Sequence, residues 1–175
     1  MFGFFKKLAG GDKKGFSYKK MAKRVREEMQ SWAVANPDCE QEKDSMYLTF
    51  AVQPRNLANS HGYAARCLFT DTGMFNVQFF YRGKKTGANL TVDQALEGVM
   101  IPNVVAAERL CAQYNDEKTI LKAKIEDRRL QLVFFAGVSG VDAVQNEEDL
   151  ERILREIWIC INSEKTLRLV NALGV

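Results

Sequence analysis

His61 is the only histidine among 175 residues, so an acid–base site built on imidazole has one candidate. The first thiol after it, Cys67, is six positions on. In an extended segment, six residues cover about 20 Å at roughly 3.3 Å each, too far for a cysteine–histidine dyad. His61 therefore reads as a loop-exposed residue without a special role. The four cysteines, Cys39, Cys67, Cys111 and Cys160, stand tens of residues apart. No short pair suggests a zinc site or a redox motif, and reduced thiols in a cytoplasm fit best. Gly137 and Gly140 enclose Val138 and Ser139, but Val141 follows where a nucleophile elbow needs glycine, and no Gly-Lys-Ser/Thr ending marks a phosphate loop. Glu147, Glu148, Asp149 and Glu151 are acidic enough to attract a cation, yet they stand where acidic side chains favour a helix N-terminus. No catalytic residue, metal site or cofactor is predicted.

Charge is unevenly placed along the chain. Nine Lys and Arg against Asp12 give the first 26 residues +8, and with a formal total of +3 the remainder carries −5. Phe2, Phe4 and Phe5 surround Lys6 and Lys7, a mixture suited either to an anionic membrane surface or to a partner. A solubilising, flexible tail over residues 1–16 is the plain alternative. With an acidic body, nucleic acid is not expected as a partner. No apolar run approaches the roughly 18 residues of a membrane span. Met1 to Gly11 places its apolar residues before its lysines, the reverse of a secretory signal. A cytoplasmic protein is expected, with the tail able to hold it at a membrane periphery.

Hydrophobic spacing supplies the elements of a single domain over residues 17–175. Tyr18, Met21, Val25, Met29, Trp32 and Ala33 form one stripe, predicting a helix from a Ser17 cap to about Asn36. Met46–Gln53, Tyr63–Thr70 and Phe75–Arg82 read as strands, the last two joined by Asp71-Thr72-Gly73 as a hairpin. Phe75, Val77, Phe79 and Tyr81 should share one face. Thr91 with Gln94 predicts a short helix to Met100, and Pro102 opens a second one ending at Asn115. Lys118–Ile125 and Arg128–Ala136 read as a second hairpin about a tight Glu126-Asp127 step, with Leu132–Ala136 kept in the sheet interior or covered. A last helix runs from Glu147 towards Gly174. The fold class is α+β: an antiparallel sheet of about five strands packed with helices, in the order α-βββ-α(α)-ββ-α.

Ile157 to Ile161 is a run of five apolar residues, wider than one sheet contact needs. Either this helix is sandwiched within the monomer, or Ile157, Trp158 and Ile161 form a homodimer or client face.

Ile101-Pro102-Asn103 opening a helix through Leu110 to Tyr114-Asn115 is followed by Thr119-Ile120-Leu121, Ala123-Lys124-Ile125, Glu126-Asp127 and Leu130-Gln131-Leu132. In these positions and in its element order the chain resembles the YbjN family, whose fold is similar to that of type III secretion chaperones. The resemblance implies a non-enzymatic module, chaperone-like or regulatory, probed through sheet and helix surfaces by a protein client, and commonly dimeric. It carries over no catalytic residues.

Overall fold

The computed structural model describes residues 16–34, 36–52, 61–83 and 99–174. Helix α1, Tyr18–Trp32, buries Met21, Ala22, Val25, Met29 and Trp32 on one stripe. Ser17 occupies the N-cap position with extended backbone, but its side chain makes no capping bond. The helix stops at Trp32 and not at Asn36 because the chain is drawn into the sheet: Ala33 bridges Val52, and the Val34 N–H donates to the Ala51 carbonyl at 2.8 Å.

Six strands follow: β1 (Asp38–Gln41), β2 (Ser45–Val52), β3 (Tyr63–Thr70), β4 (Phe75–Tyr81), β5 (Lys122–Glu126) and β6 (Gln131–Val138). They form one antiparallel sheet in the order β1-β2-β3-β4-β6-β5. The expected five become six because Asp38-Cys39-Glu40-Gln41 pairs with β2 while carrying none of the apolar alternation that marks a strand. The β3–β4 turn rests on Gly73, whose φ is +78°. A Cβ there would lie 2.2 Å from the Val144 carbonyl oxygen, and the Val144 N–H donates to the Gly73 carbonyl at 2.8 Å. Where β4 ends, Met100 bridges Gln131 and the Ile101 N–H bonds the Leu130 carbonyl at 2.8 Å, extending the pairing of β6. The expected helix from Thr91 lies outside the described residues up to 98; Met100, at its expected end, belongs to this bridge.

The second hairpin turns over residues 127–130, a wider connection than the two-residue step expected. Leu132 to Ala136 lies in β6, flanked by β4 and β5, so its uncharged stretch is interior as its composition requires.

Helix α2, Val104–Asn115, is capped by Asn103, whose side chain accepts from the Ala106 N–H at 3.1 Å. The last helical stretch is two helices, α3 (Glu147–Ile161) and α4 (Glu164–Ala172). At the break, the Asn162 side chain donates to the Trp158 carbonyl at 2.7 Å, and Ser163 caps α4 by accepting from the Thr166 N–H at 3.2 Å. These two polar side chains satisfy helix-end groups that would otherwise be orphaned.

The pleat sorts the sheet into two faces. Met46, Leu48, Phe50 and Val52 of β2 align with Phe69, Cys67, Ala65 and Tyr63 of β3, then with β4 and with Ala136, Phe134 and Leu132 of β6. These residues and the buried stripes of the four described helices form one hydrophobic cluster. Phe75, Val77, Phe79 and Tyr81 are all buried in it, as their alternation predicts. The opposite face contributes nothing to that cluster.

Candidate functional site

The residues singled out for partner binding have divided. Ile157 and Ile161 are sealed in the monomer core. Trp158 is half-buried and stacks on Trp32, with ring centroids 4.9 Å apart and planes 16° from parallel. Of the five-residue apolar run, Ile159 is the residue on the surface, at 59% exposure. Phe2, Phe4, Phe5, Lys6 and Lys7 lie outside the described residues. The acidic start of α3 faces α1: Lys20 pairs with Glu147 at 2.7 Å and Arg24 with Glu151 at 3.5 Å. Lys20, in the first turn of α1 where the helix dipole disfavours a cation, thus meets Glu147 in the first turn of α3.

His61 is buried and not loop-exposed, with no accessible surface. Its Nδ1 lies 2.9 Å from the Tyr81 hydroxyl and its Nε2 lies 3.1 Å from Asn171 Oδ1. An amide oxygen only accepts, so the proton belongs on Nε2, and Nδ1 accepts from Tyr81. Burial pushes the Tyr81 phenol up to about 12, keeping it a donor at neutral pH. This chain of side chains ties β4 to α4. Sealed from solvent, the imidazole is out of reach of a dissolved substrate. Proximity of a charged or aromatic neighbour would have been needed to foresee it, and residues 20 and 110 positions away carry no such signal.

The remaining concavities differ in how their charges are matched. Between α2 and α4, Lys165 sits 4.2 Å over the Tyr114 ring and 3.2 Å from a Glu117 carboxylate oxygen, while Arg168 pairs with Glu164 at 2.7 Å. That groove, of about 510 Å³, is internally neutralised. The sheet face opposite the core holds two adjoining hollows, of about 290 and 490 Å³, that share Arg66 and Gln78. No residue of the described helices lines either hollow.

Register defines this open face row by row. Asp38, Thr49, Arg66, Gln78, Phe135 and Lys122 stand side by side across all six strands. On one flank the row is Glu40, Tyr47, Leu68, Asn76 and Gly137. On the other it is Ala51, Ala64, Phe80, Val133 and Lys124, of which Ala64 and Val133 are buried. Tyr47 is 49% exposed, while Leu68, Phe80 and Phe135 are partly exposed. The Arg66 guanidinium lies 5.7 Å from the Phe80 ring centroid and the Lys124 ammonium 5.6 Å from that of Phe135. Among the described residues neither cation forms an ion pair. Glu126, on the same face, is held in its turn by the Arg129 and Arg128 N–H groups at 2.8 and 3.2 Å. Those bonds, with the Arg129 contact foremost, lower its pKa. The face is therefore acidic at β1 and basic and aromatic across β3, β4, β6 and β5.

The edges bear on what could dock. On β5 the outward groups of Ala123 are occupied by Asn115: its amide donates to the Ala123 carbonyl and accepts from the Ala123 N–H, each at 2.8 Å. This side chain takes the place of a further strand. At the other edge, β1 has four residues and carries Asp38 and Glu40, the short and charged form that discourages strand addition.

No family model, curated protein or solved structure matches the chain.

Proposed function

We propose that this chain is a protein-binding module, acting as a chaperone-like or regulatory adaptor, and that its recognition surface is the open face of the sheet. One observation carries the reading: a six-stranded sheet packs its described helices on one side, and no residue of those helices lines the hollows of the other side, where Tyr47, Leu68, Phe80 and Phe135 are set among polar residues. Apolar and aromatic side chains ringed by polar ones are the composition of a binding surface. The sequence resemblance to the YbjN family points the same way. An extended client would lie on this face and not along β5, where Asn115 already fills the edge.

The test is a random-peptide display selection on the full chain, followed by binding of the enriched peptides to Leu68→Asp, Phe80→Ser and Ile159→Asp variants. Peptides that lose binding to the first two and keep it on the third support the reading. Selection that enriches no peptide, or peptides sensitive only to Ile159→Asp, would overturn it.

A further inference from the structure

We infer that the acidic end of the open face is a docking site for the chain's own segment Phe2 to Leu8, an autoinhibitory contact that a client must displace; this rests on the reading of that face as a protein-binding surface. On this face Ala64, Gln131 and Val133 are buried, so on β3 and β6 the accessible residues stand nearer the β3–β4 turn. Towards that turn, Tyr47, Leu68 and Asn76 line the hollow of about 490 Å³ together with Asp38 and Glu40 of β1. The β1–β2 and β3–β4 turns meet at the same end, where the Asp71 N–H donates to the Asp44 carbonyl at 2.8 Å. Asp38, Glu40, Glu42, Asp44 and Asp71 are all exposed, and none of them forms an ion pair among the described residues. Five carboxylates thus share this end of the sheet with Lys43 and Arg66.

Phe16, the first described residue, enters the fold at this end. Its ring lies 3.3 Å from where a Cβ on Gly73 would stand, and Tyr18 stacks on Phe69 with centroids 5.9 Å apart. Burial raises the Tyr18 pKa and the nearby carboxylates of Asp44 and Asp71 raise it further, as expected for acids gathered around the entry point. Residues 1–15 carry four lysines against Asp12, and Phe2, Phe4 and Phe5 precede Lys6 and Lys7. The eight steps from Leu8 to Phe16 cover up to about 26 Å when extended. Leu68 is two residues, about 7 Å, from the end of β3 at Thr70, and a packed layer is about 10 Å thick, so the reach is sufficient. The lysines of this segment complement Asp38 and Glu40, and its phenylalanines complement Tyr47 and Leu68. A tether this short keeps the segment at an effective concentration of about millimolar, so a weak contact fills the hollow. The same carboxylates repel an anionic membrane, which favours the hollow over lipid for a basic segment joined at Phe16.

The test places the photoreactive p-benzoylphenylalanine at position 5 of the full chain, irradiates it at low salt, and maps the products by mass. The expected product has the mass of one chain and joins position 5 to β2 or β3. Its yield should fall at least about threefold in an Asp38→Lys/Glu40→Lys variant whose circular dichroism matches the parent, and again in 1 M salt. Products of one-chain mass that map to the helices, or a yield unchanged in that variant, would overturn the inference. Products of two-chain mass would overturn it in favour of a second copy. Products formed only with added phosphatidylserine vesicles, and then with lipid, would overturn it in favour of a membrane. Peptides selected on the full chain supply the independent arm: a Phe4→Ser/Phe5→Ser variant should bind them more tightly. Peptides that bind through Leu68 with the same affinity in that variant would overturn the autoinhibitory contact while leaving the open face as a binding surface.

Discussion

Trp32 and Trp158 are the only tryptophans in the chain, and the structure stacks them on each other. Trp158 was the anchor of the expected dimer face; in the fold it fastens α3 to α1. Trp→Ala at a fully buried site costs about 3 to 5 kcal/mol. Trp158 keeps part of its surface in water, so Trp158→Ala should cost about 2 to 3 kcal/mol. The ring-on-ring geometry accounts for about 0.5 to 1.5 kcal/mol of that. A double-mutant cycle with Trp32→Ala isolates this part, read by far-ultraviolet circular dichroism in urea because the variants lose the fluorophores. Sedimentation of parent and Trp158→Ala at the same concentrations completes the assay. The expected outcome is a stability loss independent of chain concentration and a coupling within that range. A coupling near zero, or a variant as stable as the parent whose only change is a halved sedimenting mass, would refute the intramolecular role and return Trp158 to a homodimer face.

Asn115→Ala should cost about 1 to 2 kcal/mol by stripping both partners from Ala123, and should raise light scattering on storage by opening the β5 edge; unchanged stability and scattering would show that the amide does not guard that edge. Burial pushes Tyr81 and Tyr114 up to about 12 and Tyr63 higher still, while an unfolded tyrosine titrates near 10. The folded chain then holds protons that the unfolded chain has lost, so stability is complete below about pH 10 and falls as pH rises towards 12. Urea melts at pH 9 and pH 11, paired with phenolate absorbance, read this directly. Equal midpoints at the two values would contradict it.

How far the fold was legible depended on whether a residue declared its role locally. Phe75, Val77, Phe79 and Tyr81 alternate, so their shared face was readable from four positions. The strand Asp38–Gln41 was not, because β1 is recruited by pairing with β2 and has no apolar face of its own to announce it. The α3–α4 break was hidden for the opposite reason: an apolar run to Ile161 looks continuous, and the stop is made by Asn162 and Ser163, whose bonds to Trp158 and Thr166 exist only once the chain has turned. His61 was misplaced because a lone polar residue beside glycine resembles loop, whereas the fold brings it Tyr81 and Asn171 and so satisfies both ring nitrogens.

The open face was the least legible part, and the cause is geometric. Arg66, Phe80, Lys124 and Phe135 are scattered over 70 positions, and they become neighbours through strand parity and the placing of β6 between β4 and β5. A net charge of −5 beyond residue 26 counted against a basic surface when the residues were summed along the chain. Summation ignores that acids elsewhere are consumed: Glu147 and Glu151 by α1, Glu117 by Lys165, Glu164 by Arg168. At distances within a screening length of about 8 to 10 Å, a ligand responds to the charges of one face and hardly to the total. Because those pairs cancel acids at α1 and in the α2–α4 groove, while Arg66 and Lys124 form no ion pair among the described residues, an acidic body can carry a locally basic patch.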